Sequence, residues 1–118
     1  MSLAPALLLW LQLCAAAYDV EWEFAYAVIM HESGGRADLE TAKYVGLFCL
    51  HKGYVREKFG LTAAQAKDPV VNIAIGVRAL QGRDKQKILR RFNPSPGQEA
   101  YRRGVLRYYR QLKRQRRG

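Results

Sequence analysis

Only two cysteines and four prolines occur in the 118 residues of this chain. So little cysteine excludes a disulfide-stapled miniprotein. Cys14 and Cys49 sit in apolar stretches without metal-ligand spacing, and they read as reduced thiols packed as small hydrophobes rather than as a bridge. There is no apolar run of about 20 residues, the length that a membrane span requires. The charge-free stretch from Leu3 to Ala17 falls short of it and also lacks the positive start of a secretory leader, since no Lys or Arg precedes Leu7. Although Ala15, Ala16 and Ala17 would suit leader cleavage, the stretch reads as a buried core helix with Pro5 in its first turn. No segment alternates with period two, and there is no internal repeat or low-complexity block, so the expected fold class is all-α. Neither His31 nor His51 has a ligand neighbour at helical spacing, and no metal or other cofactor is expected. Acidic residues are absent from positions 102 to 118, which hold Arg102, Arg103, Arg107, Arg110, Lys113, Arg114, Arg116 and Arg117.

What is present fits one domain around one core, with 49% hydrophobic and 25% charged residues. That composition excludes a disordered tail or a multidomain chain. The net charge of +10 points to an anionic partner, and most of the excess lies in the C-terminal run. Three partners compete for that run: an anionic cell wall or lipid surface, nucleic acid, or solvent around a helix end. The expected division is a domain over 1–110 and a basic tail over 111–118.

Along the chain, a second helix is expected over about 20–32, with Trp22, Tyr26, Ile29 and Ser33 on one face and Gly34-Gly35 as its stop. Residues 36–45 read as a loop. Thr62 and Gln65 have capping-box spacing. Asp68-Pro69 opens the clearest helix, with Val70, Ile73, Val77 and Leu80 on one face and Gly82 as its end. Further helices are expected over about 84–92 and from about 98 onward, separated by the Asn93-Pro94-Ser95-Pro96-Gly97 turn. Five to seven helices result, with Leu8, Leu11, Trp22, Ile29, Leu47, Ile73, Val77 and Leu80 expected in the core.

Asp19, Glu21, Glu23, Glu32, Asp38 and Glu40 cluster in a stretch where Arg36 is the one basic residue. Asp19, Glu21 and Glu23 read as a solvated face at a helix start, where acidic side chains suit the dipole. Glu32 ends the apolar run from Ala25 to Met30, just before two glycines. Partial burial and the negative end of a helix both raise a carboxyl pKa, and a Glu protonated near neutral pH suits general-acid cleavage of a glycosidic bond. Helix position alone favours the plainer alternative, a surface Glu in a cap. His31 falls on another face and reads as structural.

The order of the surrounding pieces alters that weighing. Glu32-Ser33-Gly34, Gly46-Leu47-Phe48, Asp68-Pro69 with Asn72-Ile73 and Gly76, then Phe92-Asn93 with Gly97, Tyr101 and Val105 follow in sequence. Together they resemble the catalytic domain of the soluble lytic transglycosylases, a branch of the lysozyme-like fold, over about residues 12–110. The resemblance implies Glu32 as catalytic acid and base, Ser33 as a substrate-side residue that orients either Glu32 or the substrate, and Gly46, Leu47, Phe48, Phe92, Asn93 and Tyr101 with it on the substrate side. It implies peptidoglycan glycan strands as partner and cleavage of the bond between N-acetylmuramic acid and N-acetylglucosamine, with formation of a 1,6-anhydro ring. Two departures stand out: Cys49 replaces the family's Gln, removing one sugar-directed hydrogen bond, and Phe92 replaces its Tyr. The alternatives are a muramidase-type hydrolase using Asp38 or Glu40 as a second carboxylate, and a non-catalytic basic virion or DNA-binding protein with a degenerate lysozyme-like body. Similar compact domains occur in bacteriophage particles and in secretion or conjugation systems. The expected setting is therefore a virion, with association to other virion proteins, or delivery to the periplasm and cell wall.

Overall fold

The computed structural model describes residues 2–117. Met1 and Gly118, at the outer ends of the expected domain and tail, lie outside the described residues, as does the Arg117 side chain. Among the described residues seven helices follow in order: α1 (Pro5–Ala17), α2 (Trp22–Glu32), α3 (Lys52–Phe59), α4 (Ala63–Lys67), α5 (Pro69–Ala79), α6 (Lys85–Phe92) and α7 (Glu99–Arg117). A small antiparallel hairpin precedes α3, with β1 (Tyr44–Val45) paired to β2 (Leu50–His51). The fold is all-α as expected, with this hairpin as a minor addition. Strands of two residues are too short to alternate visibly, so periodicity had nothing to detect.

The helix starts follow from local chemistry. Thr62 and Gln65 form a reciprocal capping box at α4, and Asp68 accepts a hydrogen bond from the Val70 amide at 2.9 Å with Pro69 at the first position of α5. Asp84 caps α6 through the Lys87 amide. α3 lacks the usual Ser, Thr, Asp or Asn start signal. Its cap is the unusual His51, whose ring nitrogen accepts from the Gly53 amide, and Gly60 ends it in the left-handed conformation, φ 66°.

The centre of the molecule is α2, whose residues from Glu23 to Ile29 are all buried. A helix covered on every side carries no amphipathic stripe. The most extensive packing is of α2 against α7 and of α1 against α5. Leu11, Ile29, Leu47, Ile73, Val77 and Leu80 lie in the core as expected, whereas Leu8 and Trp22 are only partly buried at its edge. Both cysteines are free; Cys14 is buried and Cys49 half-buried.

The solvated acidic face also needs correction, although Asp19 is exposed. Glu23 is 1% exposed and forms an ion pair with Arg116 at 2.9 Å. Glu21 binds Lys85 and Lys113, each at 2.8 Å, and accepts hydrogen bonds from the Tyr109 hydroxyl. These partners lie on α6 and α7, brought there by packing across most of the chain. They hold the Glu21 carboxyl down at about 2 against the opposing effect of burial. α7 continues unbroken through residue 110, and two of its basic side chains are thereby tied to α2.

Candidate active site

Glu32 is the last residue of α2. The helix stops there because Ser33 takes over its end: the Ser33 hydroxyl donates to the Ile29 carbonyl at 3.1 Å and accepts from the Gly35 amide at 3.2 Å. Gly34 then turns the chain with φ 65°. Ser33 is buried, so it acts on the backbone that aims Glu32. Burial raises the Glu32 carboxyl to about 7, and the nearby Tyr101 hydroxyl pulls the other way.

Tyr101 reaches Glu32 from α7. Its hydroxyl is buried without a completed hydrogen bond, and the group it faces is the Glu32 carboxyl. Burial, then the charge and hydrogen bonding of Glu32, push the phenol well above its ordinary range. The close approach of the two helices depends on Gly104, where a Cβ would lie 2.9 Å from the His31 ring. His31 donates from Nδ1 to the Ala27 carbonyl at 3.0 Å and packs edge-on against Tyr101 and Tyr108, which is a structural role.

The third wall is the segment from Gly46 to Cys49, and a residue without an assigned role holds it. Asn72 is fully buried in α5; its Oδ1 accepts from the Phe48 amide at 2.9 Å. Its Nδ2 donates to the carbonyls of Val45 at 3.0 Å and Ala66 at 2.9 Å. Gly46, at φ 81°, lies so close that a Cβ there would strike the Asn72 amide, and a Cβ on Gly76 would strike the Phe48 ring. Gly46, Phe48, Asn72 and Gly76 are thus one mechanical unit. The signal in the sequence was a lone Asn among apolar helix positions. Leu47 and Phe48 are fully buried, so their side chains hold the segment down and offer no surface to a ligand. The segment delivers Cys49, at φ 47°, whose thiol donates to the Glu32 backbone carbonyl at 3.2 Å. Burial and then the Glu32 charge push this thiol up to about 12, leaving it protonated and unreactive.

Beyond Cys49 opens a groove of about 580 Å³ between the hairpin, α3 and the ends of α5 and α6. Of the residues expected on the substrate side, Phe92 lines it, packed edge-on against Phe48 with ring centres 6.1 Å apart. Glu32, Ser33, Gly46, Leu47, Phe48, Asn93 and Tyr101 are not in its walls; Cys49 joins the groove to Glu32. Asn93 follows α6, half-buried, with its amide 3.5 Å from Gln98 Oε1. Of the two further carboxylates considered, Asp38 is exposed, and Glu40 is bound by Lys52 at 2.8 Å and Lys67 at 3.1 Å. Those lysines lower the Glu40 pKa. Among the described residues, no three His, Cys, Asp or Glu side chains are grouped to hold a metal ion.

The arrangement supplies one carboxyl able to give and retake a proton near neutral pH, with a phenol beside it and, on the far side of Cys49, a groove. A family model described as the transglycosylase SLT domain matches residues 11–117. No curated protein and no solved structure matches the chain.

Proposed function

The chain belongs to the transglycosylase SLT domain family, whose members are lytic transglycosylases acting on peptidoglycan, and on that premise we propose that Glu32 is its single catalytic acid and base. The observation that carries this is the Glu32 carboxyl raised to about 7 at the end of the central helix, beside Tyr101. In its protonated form Glu32 gives its proton to the oxygen bridging N-acetylmuramic acid and N-acetylglucosamine, and that bond breaks. The substrate's own N-acetyl group stabilises the oxocarbenium-like carbon. Glu32, now ionised, takes the proton of the muramyl C6 hydroxyl as that oxygen closes the 1,6-anhydro ring. No water is consumed. Tyr101 steadies the ionised carboxylate between the two proton transfers, and Ser33 fixes the direction from which it acts. Gly46, Leu47 and Phe48 serve through the backbone, and Phe92 and Asn93 border the glycan.

A hydrolase working on the same bond requires a second carboxylate to activate water. Glu40 is engaged by two lysines, which speaks against it in that role. The test is the mass of the muropeptides released from purified peptidoglycan. Products ending in 1,6-anhydro-N-acetylmuramic acid support the proposal, whereas reducing-end products make the chain a muramidase. No products from folded protein favour the non-catalytic basic protein instead. Glu32→Gln is expected to lower the rate by roughly 10²- to 10⁴-fold.

The same proposal extends to local opening of the cell wall in phage entry, with the chain carried in the virion beside other virion proteins. Arg107, Arg110 and Arg114 are exposed on α7 and suit attraction to an anionic wall, membrane or nucleic acid. Mass spectrometry of purified particles tests the setting, since absence of the chain from them removes it.

A further inference from the structure

We propose that Lys58, Arg78 and Arg91 make the groove beyond Cys49 an anion-accepting subsite for the carboxylates that muramyl residues carry. This rests on the transglycosylase function proposed above and adds to it what the groove selects.

The three cations come from different elements, Lys58 from α3, Arg78 from α5 and Arg91 from α6, and they converge on one groove of about 580 Å³. No Asp or Glu is in its walls. Among the described residues, the carboxylates that form ion pairs are Glu21, Glu23, Glu40 and Glu99, and each is matched to other cations. The groove's own cations are posed without a counter-ion. Lys58 lies over the Tyr54 ring at 5.7 Å, and Arg78 lies over Phe59 at 5.5 Å. Arg91 donates to the carbonyls of Ala79 at 3.2 Å and Gln81 at 2.8 Å, and a guanidinium keeps further donors beyond those.

Like charges brought into one concavity repel, and an anion bound among them removes that cost. An N-acetylglucosamine unit has no charge to offer. A muramyl unit does, from one of two sources: the lactyl carboxylate of a bare sugar, or the carboxylates of a peptide attached through that lactyl group. Tyr54 and Phe92 add apolar ring surface for the sugar itself. Cys49 lines this groove and its thiol donates to the Glu32 backbone carbonyl at 3.2 Å, which puts the groove beside the end of α2.

The experiment is steady-state cleavage of soluble glycan strands in three forms: with stem peptides, with the stems removed by an amidase, and with stem carboxyls neutralised by amidation. The wild-type chain is compared with the Lys58→Gln/Arg78→Gln double variant and with Arg78→Lys. The substituted side chains are exposed, and a matching melting temperature checks that the variants are folded. For the wild type, neutralised strands should show KM higher by roughly tenfold, about what two partly exposed ion pairs supply. The double variant should lose that discrimination, with the loss in KM rather than kcat, and Arg78→Lys should retain most of it. Added salt should raise the wild-type KM more than the variant's. An effect confined to stem-bearing strands assigns the anion to the peptide, and one confined to stem-free strands assigns it to the lactyl group. Equal KM for wild type and double variant on every form overturns the subsite while leaving the transglycosylase function standing. Failure of the wild type to cleave any of the three forms overturns that function, and the subsite falls with it.

Discussion

Glu32→Gln should stabilise the fold at the pH where it removes activity. In the folded chain the Glu32 carboxyl keeps its proton to about pH 7, against an ordinary value of 4.5. A group whose pKa is raised by folding contributes most below its unfolded value and loses that contribution as pH rises to the folded one. Between pH 4.5 and 7 the unfolded chain has released this proton while the folded chain still holds it. Folding stability therefore falls by about 1.4 kcal/mol per pH unit from this group across that window, and the loss levels off above it. The accumulated cost is on the order of 3 kcal/mol at pH 8. Gln has nearly the shape of the protonated acid and does not ionise, so the variant escapes the cost. Urea unfolding of both proteins at pH 4.5 and pH 8 isolates the term, because contributions from other titrating groups cancel in the difference. The variant should gain about 3 kcal/mol on the wild type between the two pH values, seen as about a 10 °C higher melting temperature at pH 8. A difference that does not change with pH would mean that Glu32 is solvated, and the cause assigned to its raised pKa would be wrong.

Tyr101→Phe removes the buried hydroxyl that faces Glu32 and favours its ionised form, so the fall of kcat/KM on the alkaline side should move to higher pH by about one unit; a kcat/KM profile unmoved or shifted to lower pH would exclude that influence. Asn72→Ala leaves the Phe48 amide and two buried carbonyls unpaired, and urea unfolding should register a loss of roughly 2–4 kcal/mol. Glu21→Gln loosens the contacts of α6 and α7 with the start of α2; because that carboxyl is 38% exposed and solvent screens its ion pairs, the expected cost at pH 7 is about 1 kcal/mol. Its pKa is lowered on folding, so this contribution is complete above pH 4.5 and disappears as pH falls toward 2, which denaturation at pH 7 and pH 2 would reveal.

Much of the chain is legible locally. Asp68-Pro69, the Thr62-Gln65 box and Asp84 fix helix starts through neighbours two or three residues away, and the sequence carries that information whole. Glu32 at a helix end before two glycines is legible for the same reason, and the order of motifs was enough to indicate the family, which the match over residues 11–117 establishes. The hairpin and α3 escaped because two-residue strands have no period and a histidine is an unusual cap. Partnerships across long sequence separations depended on the tertiary structure alone. Glu21 and Glu23 read as solvated acids until α7 brought Lys113, Tyr109 and Arg116 to them. Asn72 had no role until packing set it behind Gly46 and Phe48, 24 residues from the amide it bonds. The Glu32 carboxyl rises to about 7 because burial takes water from it, and burial is a property of packed elements. Sequence determined which groups exist and where the helices begin. Packing decided which of them lose water and which charges meet, since desolvation and Coulomb energy depend on distance in space and not along the chain.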